Sequence, residues 1–420
     1  MNYQPGTKAL VYGQSVSPEA YETRDYLGRL VVHHDWIEVD TDEESVKMFG
    51  KPLKEVQYPV VICPRGEVLY KPSKKQMAEH MGWTFTPSRK EYDVLILGAG
   101  PAGLSAAVYA SSEGLSTLLI ERYAVGGQAG SSSLIENYLG FPHGISGVEL
   151  AELARQQAIK FGTELILFQE GIKGFYKDDM VAIQTRQGEE ILAKSVICAT
   201  GVNYRKLGLD EEKKYLNKGV YYGAGMGEGP FCVNEHVFVV GGGNSAGQAV
   251  MHLAHYAKQV TMVVRSGNLA ESLSQYLINR IETKDNVDVL YNSNITGLYG
   301  DNHLESIEVT SDGKKSEYKT GRVFVCIGGT PNVEYTTEND FEADDGGYLL
   351  TGHDILTEGK PGVWNHDRHP YHLETSQRGV FAVGDLRHNS IKRVASAVGE
   401  GAIVISFVHK YLKEMGYVNA

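Results

Sequence analysis

Short apolar runs punctuate this chain, and two of them lead straight into glycine clusters. Val94-Leu95-Ile96-Leu97 enters Gly98-Ala99-Gly100-Pro101-Ala102-Gly103, and the stretch Leu104 to Glu113 that follows reads as a helix. A run without polar alternation suits a strand covered on both faces, so the pattern predicts a buried parallel strand, a turn and a helix. Thr117 to Ile120 is the next such strand and ends in Glu121. The arrangement recurs: Val237 to Val240 enters Gly241-Gly242-Gly243-Asn244-Ser245-Ala246, a helix runs to about Tyr256, and the strand Gln259 to Val264 closes on Arg265-Ser266. Two strand-turn-helix-strand units of one design therefore organise the chain.

Residues 1–90 follow another pattern. Strands are expected at Ala9 to Tyr12, Trp36 to Val39, Val60 to Cys63 and Val68 to Tyr70, with helices at Pro18 to Leu30, Glu43 to Phe49 and Ser73 to Met81. Ser17-Pro18, Asp42 and Pro72-Ser73 supply helix starts. The order β-α-β-α-β-β-α, with Tyr58-Pro59 at a cis-proline position and Pro64-Arg65-Gly66 turning the last hairpin, resembles a thioredoxin-fold, glutaredoxin-like domain. That family's C-x-x-C would follow the first strand, where this chain reads Tyr12-Gly13-Gln14-Ser15-Val16-Ser17-Pro18. The resemblance implies a redox-inactive appendage for docking or dimer packing, and Arg89 to Tyr92 reads as a linker.

Composition sharpens this picture in two places. Of 420 residues 48 are glycine, about 11% against a usual ~7%, with no G-X-Y period, so the excess belongs in turns. Lys and Arg number 40 against 52 Asp and Glu, a net charge of −12 without a dense basic block, so neither nucleic acid nor an anionic membrane is an expected partner. There is no charged leader with an apolar core and no apolar run of bilayer length, which gives the expectation of a soluble, cytoplasmic protein. The four cysteines, Cys63, Cys198, Cys232 and Cys326, form no C-x-x-C and no zinc knuckle. Three lie in apolar runs as reduced core thiols do, while pairing between distant cysteines stays open. His33-His34 and the histidines from His366 to His372 lack a zinc spacing, so no metal is expected.

The chemistry lies in the glycines. In G-x-G-x-x-G between strand and helix, Gly98 permits the tight turn, Gly100 leaves room for a pyrophosphate, and Gly103 lets the helix pack closely. Amides at the helix start bind the phosphates, and Glu121 suits a ribose. Gly127-Gln128 and Glu136-Asn137-Tyr138-Leu139-Gly140-Phe141 follow. With Ala199-Thr200-Gly201 and Gly379-Val380-Phe381-Ala382-Val383-Gly384-Asp385, these motifs resemble the FAD domain of thioredoxin reductases. The resemblance covers roughly 91–420. It implies that Gly98, Gly100, Gly103, Glu121, Gly127, Gln128, Asn137, Thr200, Gly201, Gly384, Asp385, Arg393 and Val394 hold FAD. It places Asp385 on the ribityl chain and a helix start near Arg393-Val394 at the flavin's pyrimidine side.

The second glycine unit resembles that family's inserted pyridine-nucleotide domain, implying that Gly241, Gly243, Asn244, Ser245, Ala246, Arg265 and Ser266 bind NAD(P). Arg265 favours NADPH, with NADH the alternative, because Val264, Ser266 and Ala270 replace other members of the family's His-Arg-Arg cluster. The fold expected is α/β: two Rossmann-like domains, FAD-binding at 91–205 and 330–420 and NAD(P)-binding at 206–329, after a thioredoxin-fold domain at 1–90. The resemblance fails at the dithiol. The family's catalytic C-x-x-C falls on Tyr221-Tyr222-Gly223-Ala224-Gly225-Met226, where Gly223 and Met226 occupy the thiol positions. Glu228 and Cys232 remain as candidate acid and thiol.

An FAD-dependent NAD(P)H oxidoreductase is therefore expected, homodimeric by resemblance, that passes electrons to an acceptor outside the chain: a small molecule, a quinone, oxygen or a small redox protein. Ferredoxin- or flavodoxin-NADP reductase-like activity and a non-catalytic flavoprotein sensing nicotinamide redox state are the alternatives.

Overall fold

A computed structural model describes residues 8–15, 17–30, 32–132, 134–223, 226–333, 341–360 and 362–417, with backbone alone at 226 and 227. Ala224 and Gly225 of the dithiol-position stretch, and Val16 of the N-terminal one, lie outside the described residues. The chain forms two compact units. One comprises Met1–Gly82, Ser131–Ile135 and Tyr204–Gly328; the other comprises Trp83–Gly130, Glu136–Asn203 and Gly329–Ala420.

In the first unit the N-terminal sheet runs in the order His34–Glu38, Ala9–Gly13, Val60–Ile62, Val68–Tyr70. Its first two strands are parallel and its other neighbours antiparallel. Its helices Pro18–Arg29, Asp42–Phe49 and Lys74–His80 start on Ser17, Thr41 and Ser73, whose side chains accept the amides of Ala20, Glu44 and Gln76. Such caps satisfy donors that a helix start leaves unpaired. The Tyr58-Pro59 peptide is cis.

The same unit holds a fully parallel sheet ordered Val220–Tyr222, Val323–Val325, His236–Val240, Gln259–Val263, Val287–Leu290. Parallel sheets need cover on both faces, and the apolar runs supply it: Val237, Phe238, Val239, Val260 and Met262 are wholly buried. A three-stranded antiparallel sheet, Ser293–Tyr299, Ser306–Ser311 and Lys314–Lys319, completes the unit.

The second unit is built on the order Glu164–Leu167, Thr117–Glu121, Glu91–Leu97, Glu190–Cys198, Met180–Thr185, Gly171–Lys177. The first four strands are parallel and the last two turn back antiparallel. Val380–Ala382 adds a parallel partner to the end of Glu190–Cys198.

One expected linker is corrected. Glu91 and Tyr92, read as linker, open the Glu91–Leu97 strand, pairing with Leu192 and Ala193. Tyr92 is buried and donates its hydroxyl to Glu164 (2.7 Å), while Thr84 donates to the Leu165 carbonyl and Gln169 to that of Phe85. The stretch from Trp83 onward thus packs on the second unit's sheet. No helix among the described residues is long and apolar enough to cross a membrane.

Candidate functional site: two glycine cradles

Both glycine turns sit where a parallel strand passes into a helix, and each combines closed positions with an open one. A Cβ on Gly98, at φ +103°, would stand 2.6 Å from the Ala199 carbonyl oxygen, and one on Gly103 would stand 1.9 Å from that of Gly98. These two are glycine because backbone passes against them. Gly100 differs: the nearest atom to its Cβ position is the Gly127 Cα, at 4.0 Å. Gly126 donates its amide to Ala99 (2.8 Å), so the Gly126-Gly127 loop forms the wall opposite Gly100. The result is a groove bounded by two side-chain-free residues.

The second turn repeats the arrangement. A Cβ on Gly241 would meet the Cys326 carbonyl oxygen at 2.2 Å, whereas one on Gly243 meets only the Ser272 carbonyl, at 4.0 Å. Ala246, the small residue of this motif, is wholly buried.

The helices that leave the two glycine turns start without side-chain caps, as do the short helices Glu212–Tyr215, Gln275–Glu282 and His353–Thr357. Pro101–Ser112 starts on Gly100 and Asn244–Leu253 on Gly243, neither with a side-chain cap; Val394–Glu414, starting on Arg393, has none either. Ser17, Thr41, Ser73 and Ser146 do cap their helices. Uncapped amides at the positive end of a helix beside an open glycine are suited to a phosphate. The residues present fit a dinucleotide in each unit.

Around the first cradle, Glu121 is buried and accepts the amides of Ala99 and Tyr123, both at 2.8 Å, which ties the end of its strand to the glycine turn. Gln128 donates to the Val202 carbonyl (2.6 Å) and Thr200 to that of Asn332 (2.9 Å); Gly201 adopts φ +61°. A Cβ on Gly401 would lie 2.2 Å from the Ala102 carbonyl oxygen, so this glycine lets the long C-terminal helix cross Pro101–Ser112 closely. Gly384 packs between Ala102 and Ala397, placing Asp385 beside the same helix start. Burial raises the Asp385 carboxyl above its ordinary range, opposed by the Lys392 ammonium. Asn137 is exposed in its loop.

Glu400 was not among the expected site residues. It accepts the Gly384 amide and the Arg387 guanidinium, both at 2.7 Å, fixing the turn that carries Asp385. The sequence signal for it is its place between Gly399 and Gly401 on the helix that crosses there.

Around the second cradle, Asn244 accepts the Ser274 amide (2.8 Å), Ser266 donates to the Asn268 carbonyl (2.8 Å), and Ser245 and Arg265 are exposed. Arg265 is thus available to a ligand phosphate, while Asn244 and Ser266 shape the turn.

The two candidate reactive side chains are both buried. Glu228 lies 3.6 Å from Arg24 of the helix Pro18–Arg29, with side chains 6% and 4% exposed. The expected acid is therefore enclosed and ion-paired. Cys232 is wholly buried, donates its thiol to the Glu228 carbonyl, and is pushed by burial up to about 12, which keeps it a thiol at neutral pH. All four cysteines are free. The absence of a zinc spacing in the sequence did not anticipate one cluster: Cys63, Glu67 and His80 bring a thiol, a carboxylate and an imidazole within 4.8 Å of one another.

Comparison with known proteins fits this geometry. A family model described as pyridine nucleotide-disulphide oxidoreductase matches residues 92–366. A thioredoxin reductase of Bacillus subtilis is 35% identical over 330 residues, 78% of this chain and 96% of its own length. Among solved structures, the thioredoxin reductase of Lactococcus lactis is 29% identical and covers 77% of this chain and 99% of its own, with a TM-score of 0.68. That of T. acidophilum is 27% identical and covers 77% and 100%, with the same TM-score. With an open glycine cradle in each unit, the chain belongs to the pyridine nucleotide-disulphide oxidoreductase family, as a thioredoxin reductase-like oxidoreductase that uses FAD and NADPH.

Proposed function

We propose that this chain moves electrons from NADPH through FAD to an acceptor outside itself, with no internal dithiol between. The observation that carries the reading is the pairing of two intact cradles with a dithiol segment that contains no thiol: Gly223 and Met226 stand at the two positions. A glycine and a thioether form no disulfide. When bound, the two cofactors supply hydride transfer from nicotinamide to flavin; the chain's part is position and charge. Gly100, Gly127 and the amides that open Pro101–Ser112 hold the FAD pyrophosphate, and Asp385 the ribityl chain. The positive end of Val394–Glu414 favours negative charge on the pyrimidine side of the ring. Gly243 with the start of Asn244–Leu253 holds the NADPH pyrophosphate, and Arg265 its 2′-phosphate. The acceptor is a small molecule, a quinone, oxygen or a small redox protein; the N-terminal domain serves as a redox-inactive, thioredoxin-fold packing module, and the protein is a homodimer.

The test is an anaerobic absorbance titration of the flavin-loaded protein. Rapid bleaching by NADPH, followed by catalytic turnover with an artificial acceptor, is the expected result. Absence of reduction in excess NADPH would favour the sensing role instead. Two substitutions refine it. Cys232→Ser is expected to leave turnover within about twofold, since a buried protonated thiol takes no part; a loss of tenfold or more would restore a thiol mechanism. Arg265→Glu removes a charge-assisted contact worth roughly 1.5–3 kcal/mol, so KM for NADPH should rise about 10- to 100-fold while KM for NADH moves far less. Equal effects on both nucleotides would remove Arg265 from the 2′-phosphate.

A further inference from the structure

The hairpin between Val60–Ile62 and Val68–Tyr70 gathers three metal donors of different chemistry. Cys63 donates its amide to the Glu67 carbonyl and Gly66 donates to that of Cys63, both at 2.8 Å. This closes a turn in which Gly66 takes φ +95°. The turn sets the side chains of Cys63 and Glu67 next to each other at its base. His80 closes the helix Lys74–His80, which brings its ring to the same place. The Cys63 sulfur, a Glu67 carboxylate oxygen and a His80 ring nitrogen all lie within 4.8 Å of one another. A second observation is independent of that spacing: Glu67 Oε2 is buried and has no hydrogen-bond partner in the protein. A buried, unpaired carboxylate oxygen is costly, and its neighbours here are a nearly inaccessible thiol and an imidazole, a set that offers few protons and three ligand atoms.

We propose that Cys63, Glu67 and His80 bind a zinc-like divalent cation. A thiolate, an imidazole and a carboxylate are the ligand types of zinc, whereas calcium and magnesium require oxygen alone. Bonds of about 2.0–2.3 Å in a tetrahedron put ligand atoms roughly 3.3–3.8 Å apart, so small side-chain rotations close the set. Water takes the fourth position, and the Cys63 thiol proton leaves to solvent on binding. The ligands come from a hairpin and a helix of the N-terminal domain, and none belongs to either glycine cradle. The cation therefore clamps the last helix to the sheet in a domain too small to bury a large core.

The test uses the full flavin-loaded chain, stripped with a chelator and incubated with Zn²⁺ alone. Zinc per chain is measured by elemental mass spectrometry after desalting, affinity by competition with a chromophoric chelator, and unfolding by thermal melts. The expected result is one zinc per chain and a Tm that rises with zinc concentration. His80→Asn, a change at a helix end that leaves the core untouched, and Cys63→Ser should each weaken binding by at least about 10-fold. Retention of wild-type stoichiometry and affinity by His80→Asn would assign the zinc to other histidines and overturn the proposal. Failure of the unaltered chain to take up zinc would overturn it as well.

Discussion

Gly100→Ala is expected to yield a folded protein that no longer retains FAD, and Gly103→Ala one that loses both flavin and stability. The two differ only in what surrounds the added carbon. At Gly100, φ −74° and ψ −178° suit any residue and the nearest atom is 4.0 Å away, so alanine meets nothing in the protein and projects into the groove opposite Gly127. At Gly103 the same carbon would lie 1.9 Å from the Gly98 carbonyl oxygen and 3.3 Å from the Ala199 Cβ, and backbone has to move. Overpacking of this kind costs about 1–3 kcal/mol, which in a unit of this size lowers Tm by roughly 2–4 °C per kcal/mol. Flavin affinity should fall at least about 100-fold in both, since the pyrophosphate must approach Gly100 to reach the helix amides. Thermal melts of the flavin-free proteins and the flavin-to-protein absorbance ratio read the two effects separately. If Gly100→Ala purified with full flavin, the groove beside Gly127 would not be the pyrophosphate site.

Those glycines were legible because the motif is local: strand, turn and helix occupy adjacent sequence, even though the backbone that closes on Gly98 comes from Ala199, far along the chain. The strands were legible for a related reason, since burial on both faces leaves an apolar run such as Val94 to Leu97. Tyr92 was misread because Glu91-Tyr92-Asp93 carries two charges and looks like a loop. What makes it strand is pairing with Leu192 and Ala193 and the hydroxyl bond to Glu164, all distant in sequence. Glu400, His80 and the environment of Glu228 failed to show for the same reason. Each is defined by a partner brought in by the fold: Gly384 for the first, Cys63 for the second, Arg24 for the third. Residue type at a short spacing reveals a turn, but no spacing reveals that a carboxylate at 228 will be enclosed by a helix near the N-terminus.

That enclosure leads to the second large effect: Arg24→Met alone is expected to destabilise the protein by about 3–5 kcal/mol, while Arg24→Met combined with Glu228→Leu returns to within about 1 kcal/mol of the parent. Arg24 comes from the helix Pro18–Arg29 and Glu228 from the short 3-10 helix Met226–Cys232, the segment that carries one of the two missing thiol positions. The guanidinium lies over the rings of Trp36 and Phe231, 4.6 and 4.3 Å from their centroids, and donates to the Ser15 carbonyl. Its Nε and Nη1 are buried without hydrogen bonds, so the aromatic faces supply part of what water would give. Burial lowers the Arg24 pKa and raises that of Glu228, each opposed by the other's charge. Removing one partner leaves the other charged and enclosed, whereas removing both replaces the pair with apolar packing against Tyr21, Tyr221 and their neighbours. The pH dependence follows from the direction of the Glu228 shift. Its folded pKa is above the unfolded one, so the native state binds more protons across the interval between them, and stability falls as pH rises from the ordinary carboxylate range through the raised folded value. Glu228→Gln removes this titration, so the difference in stability between parent and variant should change with pH over that interval and flatten beyond it. A single Arg24→Met that costs under about 1 kcal/mol, or a double variant as unstable as the sum of its parts, would mean that the pair does not hold the helix Pro18–Arg29 against the segment Met226–Cys232.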